Sequence, residues 1–261
     1  FQFGQLAISP DRQYAYASLT DLNAILRISA DGQFEKYATL KTPTGLVFHD
    51  GRLFAGQWDG KVFDITEGNT STVYALGFSG LRNMVSTAQG VLVAEQMAGE
   101  VTMLAPGNRT GAPAFASGLG SVTDMAVHNG TIYAVEQGDG TGSRVFDITA
   151  GGSFSGRTPF ATGAFMAALA STGSGLYASS DYRRQGHAAV WEISRGGVVG
   201  AQQPIAAFTG VGDTMFEAVP GLTTLPEAVA AVPEPGSMGL IGAGLFALSA
   251  RLRSGRTTRQ R

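Results

Sequence analysis

The sequence predicts an all-β fold, a β-propeller of four-stranded blades about 40 residues long. Three observations carry that reading. A strand–turn–strand phrase recurs five times: "LAISPDRQYAYAS" (6–18), "GLVFHDGRLFAGQ" (45–57), "MVSTAQGVLVAEQ" (84–96), "MAVHNGTIYAVEQ" (125–137) and "ALASTGSGLYASS" (168–180). With Tyr16, Ala55, Ala94, Ala134 and Ala178 taken as equivalent, the steps between units are 39, 39, 40 and 44 residues. A third strand follows each phrase, and "VFDIT" stands at both 62–66 and 145–149. No stretch before the C-terminal end keeps a helical period, which excludes an α/β alternation.

Within each unit the elements follow in order. Asp50-Gly51 and Asn129-Gly130 are two-residue hairpin turns, since both central positions of that turn need positive φ. The third strands read "AILRIS" (24–29), "KVFDIT" (61–66), "EVTMLA" (100–105), "RVFDIT" (144–149) and "AVWEIS" (189–194). Fourth strands follow as "FEKYATL" (34–40), "STVYALG" (71–77) and "PIAAFTG" (204–210). The pattern resembles the six-bladed propellers of the NHL and gluconolactonase-like superfamily and, more loosely, YVTN-type surface repeats. Five blades are visible over residues 1–212. A sixth belongs to the full protein if a segment precedes Phe1, and residues 211–222 complete the seam if none does.

Composition fits a large buried core: 44% of residues are hydrophobic and 15% charged, with 37 glycines for tight turns. The net charge of −2 is unevenly spread. The last eleven residues hold five arginines and no acid, which leaves 13 basic against 20 acidic residues elsewhere, a net −7. An acidic body argues against nucleic acid as a partner. The absence of cysteine excludes disulfides, thiolate metal sites and cysteine nucleophiles.

Propeller sites lie where inner strands meet the central channel, and the residues expected there are Thr44, Asn83, Asp124 and Phe165. The gluconolactonase-like resemblance implies an Asn, an Asp and a Glu holding a divalent cation, and Asn83 and Asp124 match in type and place. That family has Gly after these residues where this chain has Met84 and Met125, and its Glu has only Glu217 as a counterpart. Apart from calcium or a similar hard ion at this pair, the sequence carries no cofactor motif. The alternative role for both residues is capping of strand ends through backbone hydrogen bonds. No catalytic residue is assigned, because no serine stands in a G-x-S-x-G turn. His49 and His128 occupy equivalent turn positions and are expected on one rim, in solvent; His187 lies in a loop. The long connections at 138–143 and 181–187 predict a ligand rim, with Tyr182, Arg183 and Arg184 as contact residues.

Residues 213–231 read as a linker between the propeller (1–212) and a three-part tail (232–261). Val232, Pro233, Glu234 and Pro235 form an extended segment, since proline fixes its own φ and restricts its predecessor. The charge-free run ending at Ala250, counted from Pro235, is a hydrophobic helix of about 24 Å against a hydrocarbon core of about 30 Å. Arg251, Arg253, Arg256, Arg259 and Arg261 follow, and positive flanks stay cytoplasmic. The tail resembles the PEP-CTERM sorting signal of exported Gram-negative proteins, recognised by exosortase, a membrane protease-transpeptidase. The resemblance implies an inner-membrane-anchored precursor, cut near the Pro-Glu-Pro segment and passed to the cell surface or extracellular matrix. The expected function is therefore a non-enzymatic binding or scaffolding module in the extracellular polysaccharide or envelope, with polysaccharide or another surface protein as partner. The alternative is an exported metal-dependent lactonase of gluconolactonase type.

Overall fold

A computed structural model describes residues 3–68, 72–137, 142–163, 166–180, 187–199 and 204–209, and these form five antiparallel blades. Blade one comprises β1 (Phe3–Ile8), β2 (Tyr14–Leu19), β3 (Ala24–Ser29) and β4 (Phe34–Thr39). Blade two comprises β5 (Pro43–His49), β6 (Arg52–Gln57), β7 (Lys61–Asp64) and β8 (Thr72–Leu76). Blade three holds β9 (Leu81–Thr87), β10 (Gly90–Glu95) and β11 (Glu100–Met103); β12 (Gly107–Asn108) departs from it, and β13 (Ala116–Ser117) completes it. Blade four holds β14 (Ser121–His128), β15 (Thr131–Gln137), β16 (Ser143–Asp147) and β18 (Ala161–Gly163), with β17 (Gly152–Ser153) departing. Blade five holds β19 (Met166–Thr172), β20 (Gly175–Ser180), β21 (His187–Glu192) and β23 (Ala206–Thr209), with β22 (Gly197–Val198) departing.

The three departing strands are an addition that sequence reading did not anticipate. β12, β17 and β22 each pair in parallel with the outer strand of the preceding blade, β8, β13 and β18 respectively. Each comes from the connection between the third and fourth strands of the next blade. They cover an edge that would otherwise expose unpaired backbone groups, and they tie neighbouring rims together.

Alternating apolar residues bury both faces of the middle blades. Ile25, Leu46 and Leu53 pack between blades one and two, and Val62, Leu81 and Met84 between two and three. Leu92, Val122, Met125 and Phe146 fill the next interface, and Met166, Leu176 and Trp191 the last. The innermost strands run β1, β5, β9, β14, β19, each packed on the next, and no comparable packing joins β19 to β1 among the described residues.

The recurrent "VFDIT" has a structural cause. Asp64 Oδ1 accepts hydrogen bonds from Thr66 N (3.1 Å) and Thr66 Oγ1 (2.6 Å), and Thr66 Oγ1 accepts one from Leu53 N (3.0 Å). Asp147, Thr149 and Ile132 N repeat this two blades on, and Glu192, Ser194 and Leu176 N form a third version. The motif stops the third strand and ties its end to the second.

The Asp50-Gly51 and Asn129-Gly130 turns have positive φ at both positions (48° and 74°, 50° and 79°), as their sequences predict. The hairpin registers shift two of the expected equivalences by one residue. Ala17, Ala55, Val93, Ala134 and Ala178 oppose corresponding inner-strand residues, in place of Tyr16 and Ala94. Blade one has a longer turn than the two-residue turns of the other four blades, which displaces Tyr16; in blade three the turn is two residues and the register alone sets Val93 opposite Met84.

Candidate functional site

Every inner strand carries a β-bulge near its start, visible as a register break within 3–6, 43–46, 81–83, 122–124 and 166–168. A bulge re-aims a side chain. Aligning the breaks makes Gln5, Gly45, Asn83, Asp124 and Ala168 equivalent. Gln5, Asn83 and Asp124 line one cavity of about 210 Å³ together with Leu46, Met84, Met125 and Leu169, so the ring axis is where the polar residues converge.

The bulges turn backbone N–H groups toward this axis, and two side chains satisfy them. Gln5 Oε1 accepts from Leu46 N (2.9 Å) and Met84 N (3.0 Å), while Gln5 Nε2 donates to Met84 O (2.6 Å). Asp124 Oδ1 accepts from Met125 N and Asp124 Oδ2 from Leu169 N, both at 2.8 Å. One amide thus ties blades one, two and three, and one carboxylate ties blades four and five. Asn83 is different: it is 5% exposed and its Oδ1 has no hydrogen-bond partner. A buried acceptor left unmade costs about 1–3 kcal/mol, so this oxygen is open to a hydrogen bond from a water or a hydroxyl in the cavity.

Asp124, also 5% exposed, has a carboxyl pushed up from its ordinary 3.8 to about 7. Burial is the main cause; the bonds from Leu169 N and Met125 N and the positive charge of Arg82 pull the other way without offsetting it. A carboxyl poised near neutrality in a cavity can exchange a proton at working pH.

Asn83 and Asp124 lie inside β9 and β14, at the bulges, not just ahead of the inner strands as expected. Thr44 is not their equivalent: its Oγ1 donates to Leu81 O (2.7 Å) in the next blade, and Gly45 takes the axial position. A Cβ at Gly45 would lie 2.9 Å from Leu81 Cδ2 and 3.0 Å from Met84 Cγ, which leaves no room for a ligand group there. Ala168 takes the axial position in blade five; Phe165 lies outside the described residues. For calcium, which needs six to eight oxygens, the described residues offer the unpaired Asn83 Oδ1 and a carboxylate whose two oxygens are already engaged. No group of three or more His, Cys, Asp or Glu that could hold a metal occurs among the described residues. This donor set does not fit a hard cation.

Gln5 was missed from sequence because nothing marks it before the register is known. Two buried glutamates were missed as well. Glu95 accepts from Ser79 N (2.7 Å) and Thr102 Oγ1, and Glu136 from Gly120 N and Arg144 Nε. With Gln57, whose amide oxygen can accept from Lys41 N (3.1 Å), they form an equivalent set that holds the loops entering β5, β9 and β14. The signal lay in the recurrent "EQ" and "GQ" ending the second strands.

A second cavity, about 550 Å³ and open, lies at the hairpin-turn rim between Pro10, His49, Asp50, Ser86 and Gln89. His49 Nδ1 lies 2.9 Å from Ser86 Oγ, and His49 Nε2 lies 3.3 Å from Asp50 Oδ2. This has the order of a nucleophile–base–acid triad. Its acid, however, is an exposed neighbour in sequence, and the same contact recurs as His128 Nδ1 to Ser171 Oγ (3.0 Å), with Asn129 in place of the acid. Repetition at a second blade pair identifies both as ties between adjacent turns. The histidines do share a rim, but they are half-buried and bonded across blades, not free in solvent. His187 begins β21.

Tyr182, Arg183, Arg184, Glu217, the motif Val232–Pro235, the apolar run and Arg251, Arg253, Arg256, Arg259 and Arg261 lie outside the described residues. Among the described residues no helix is long and apolar enough to cross a membrane.

Residues 231–254 match the family model of the PEP-CTERM protein-sorting motif. The motif implies an exported chain, processed by exosortase from a membrane-anchored precursor and delivered to the cell surface. No curated protein matches the sequence. Among solved structures, the chain resembles an oxidoreductase of Thermus thermophilus described as a glucose dehydrogenase (19% identity, 80% of this chain, 84% of that one, TM-score 0.57). It also resembles the PQQ-bound aldose sugar dehydrogenase of Streptomyces coelicolor (15% identity, 79% and 80% of the chains, TM-score 0.60). At these identities the likeness shows the propeller fold and nothing of its chemistry.

Proposed function

We propose that this chain is a surface-sorted β-propeller that serves as a binding or scaffolding module in the extracellular polysaccharide or envelope of a Gram-negative bacterium. The match at residues 231–254 carries the reading, because it gives the propeller an address outside the cytoplasm. The chain is organised as a propeller over 1–212, a linker over 213–231 and a sorting tail over 232–261. In the tail, Val232–Pro235 present an extended segment to exosortase, a single hydrophobic helix holds the precursor in the inner membrane, and the five arginines hold its end in the cytoplasm. Tyr182, Arg183 and Arg184 form the ligand rim. Replacing Pro233, Glu234 and Pro235 with alanine is expected to leave a full-length protein in the membrane fraction; a mature mass and surface location unchanged from wild type would refute the sorting role.

One observation favours a second reading, an exported lactonase-like hydrolase: Asn83 and Asp124 share the axial cavity, and Asp124 stands near neutrality. In that reading Asn83 Oδ1 receives a substrate hydroxyl and Asp124 moves a proton. Lactone hydrolysis by the wild type, lost in Asp124→Ala while the fold is retained, would establish it. Equal rates in the two proteins would exclude it.

A further inference from the structure

We propose that the axial cavity is a binding site for a small neutral polyol, held by adjacent hydroxyls on the Asn83 amide and entered from the hairpin-turn rim. The position of the walls gives the direction of entry. They come from within 5–10, 46–48, 83–86 and 124–126 and from Leu169. Each of these residues stands at the axial position of its inner strand or beyond it, toward the hairpin turn. None of them lies ahead of the bulges, where the inner strands begin. The open hollow of about 550 Å³ between the turns shares Pro10, Phe48 and Ser86 with the axial cavity. That hollow is thus the vestibule, and the His49–Ser86 contact stands in its wall.

The free polar atoms set the class of ligand. Gln5, Ser9, Ser86 and Asp124 also line the cavity, and each already makes hydrogen bonds within the protein. Among the described residues, Asn83 Oδ1 is the one buried side-chain acceptor in this cavity left without a partner. An amide carries two donor hydrogens beside its acceptor, so adjacent hydroxyls of one molecule serve both ends. No Arg, Lys or His lines the cavity, and an anion would lose its hydration there without a counter-charge. An ammonium group has three donors to satisfy and meets one free acceptor. Burial also pushes the Asp124 carboxyl up to about 7, so below that pH it is mostly uncharged and offers a cation little.

The remaining walls suit the carbon skeleton of such a ligand. Leu46, Met84, Met125 and Leu169 are buried and apolar, and they face the C–H groups. Apolar walls with a few convergent polar groups are the usual make of a small-molecule site. At about 210 Å³ the cavity is many times larger than one water needs, so a single ordered water does not fill it. The inference rests on the axial cavity of the hydrolase reading above and not on hydrolysis.

The test uses the full chain and four-carbon probes, followed by ligand-observed magnetic resonance at a pH below 7. Erythritol is expected to bind saturably. It is expected to bind about tenfold more tightly than 1,4-butanediol, which lacks adjacent hydroxyls, than the erythronate anion and than the putrescine dication. Equal affinity for any of these three, or no saturable erythritol binding, overturns the proposal. Asn83→Leu keeps the volume and removes the amide, and it is expected to weaken erythritol about tenfold; unchanged affinity sinks the assigned contact. The chain has no cysteine of its own. A nitroxide is therefore placed at Gln89→Cys, in the turn between β9 and β10, or at Ala98→Cys, on the opposite rim between β10 and β11. Bound erythritol is expected to relax several-fold faster with the first label; equal relaxation, or faster relaxation with the second, overturns the entry side. Erythritol binding by a protein that turns over no lactone leaves the inference standing and counts against the hydrolase reading. Lactone turnover without erythritol binding overturns the inference alone.

Discussion

Asp124→Asn tests the axial carboxylate most directly. Asp124 joins blades four and five through Leu169 N, and burial raises its carboxyl from 3.8 to about 7. The folded state therefore holds the proton more tightly than the unfolded chain. The associated stability is fully present below about pH 4 and is lost as pH rises through about 7. At 1.36 kcal/mol per tenfold change in proton affinity, the loss is about 4 kcal/mol across that window. Asparagine is uncharged throughout and keeps one acceptor oxygen, so it stands in for the protonated acid. Urea unfolding of both proteins at intervals from pH 4.5 to 8 isolates the effect, because every other titrating group is common to the two. At pH 5 they are expected to agree within about 1 kcal/mol, the scale of one altered hydrogen bond. At pH 8 the variant is expected to be the more stable by a few kcal/mol. Parallel stability–pH curves would refute the reasoning and show that Asp124 ionises at an ordinary pH despite its burial.

Gly60 and Gly130 both have positive φ, but a Cβ at Gly60 would lie 1.9 Å from Phe78 O, whereas nothing stands within 4 Å at Gly130. Gly60→Ala is expected to cost on the order of 3 kcal/mol or prevent folding, and Gly130→Ala about 1 kcal/mol, in thermal melts; equal costs would contradict the close-approach argument. Thr149→Val removes the oxygen that receives Ile132 N and is expected to cost about 1–2 kcal/mol by denaturant unfolding. His49→Ala and Ser86→Ala are expected to show a coupling of about 0.5–1 kcal/mol in a double-mutant cycle, and Ser86 to resist a fluorophosphonate; labelling at Ser86 would turn the tie into a nucleophile.

The propeller was legible because its signals are local. Hairpin dipeptides, alternating apolar strands and the Asp-x-Thr stop each act within a few residues, and a repeat multiplies them. The five-residue identity "VFDIT" marks the same hydrogen-bond set at Asp64–Thr66 and Asp147–Thr149. What escaped was long-range. β12, β17 and β22 are two residues each and exist only because the neighbouring blade offers a free edge. Gln5 serves two other blades, 41 and 79 residues away, which no local pattern records. Asn83 and Asp124 line the axial cavity and Thr44 does not. The bulge that moves the axial position from Thr44 to Gly45 is a feature of register, invisible until the strands are paired.

The axial ring also separates structural demand from chemical opportunity. Five bulges direct backbone N–H groups toward one axis, and an unpaired N–H in a dry interior is costly. Gln5 and Asp124 together satisfy four of them, those of Leu46, Met84, Met125 and Leu169. With these satisfied, the remaining equivalent positions are released from that duty. Gly45 is excluded from carrying a side chain by Leu81 and Met84, and Ala168 presents only a methyl group. Asn83 keeps a full amide with an unpaired oxygen in the same cavity. An amide oxygen retained there without a hydrogen-bond partner is not explained by packing among the described residues. Of the three polar residues it is therefore Asn83 whose substitution distinguishes a ligand-binding axis from a stapled one. Asn83→Ala is expected to leave thermal stability within about 1 kcal/mol of wild type, because it removes an unsatisfied acceptor and breaks no bond at its Oδ1. A loss comparable to that from Gln5→Ala would show Asn83 to be a third staple.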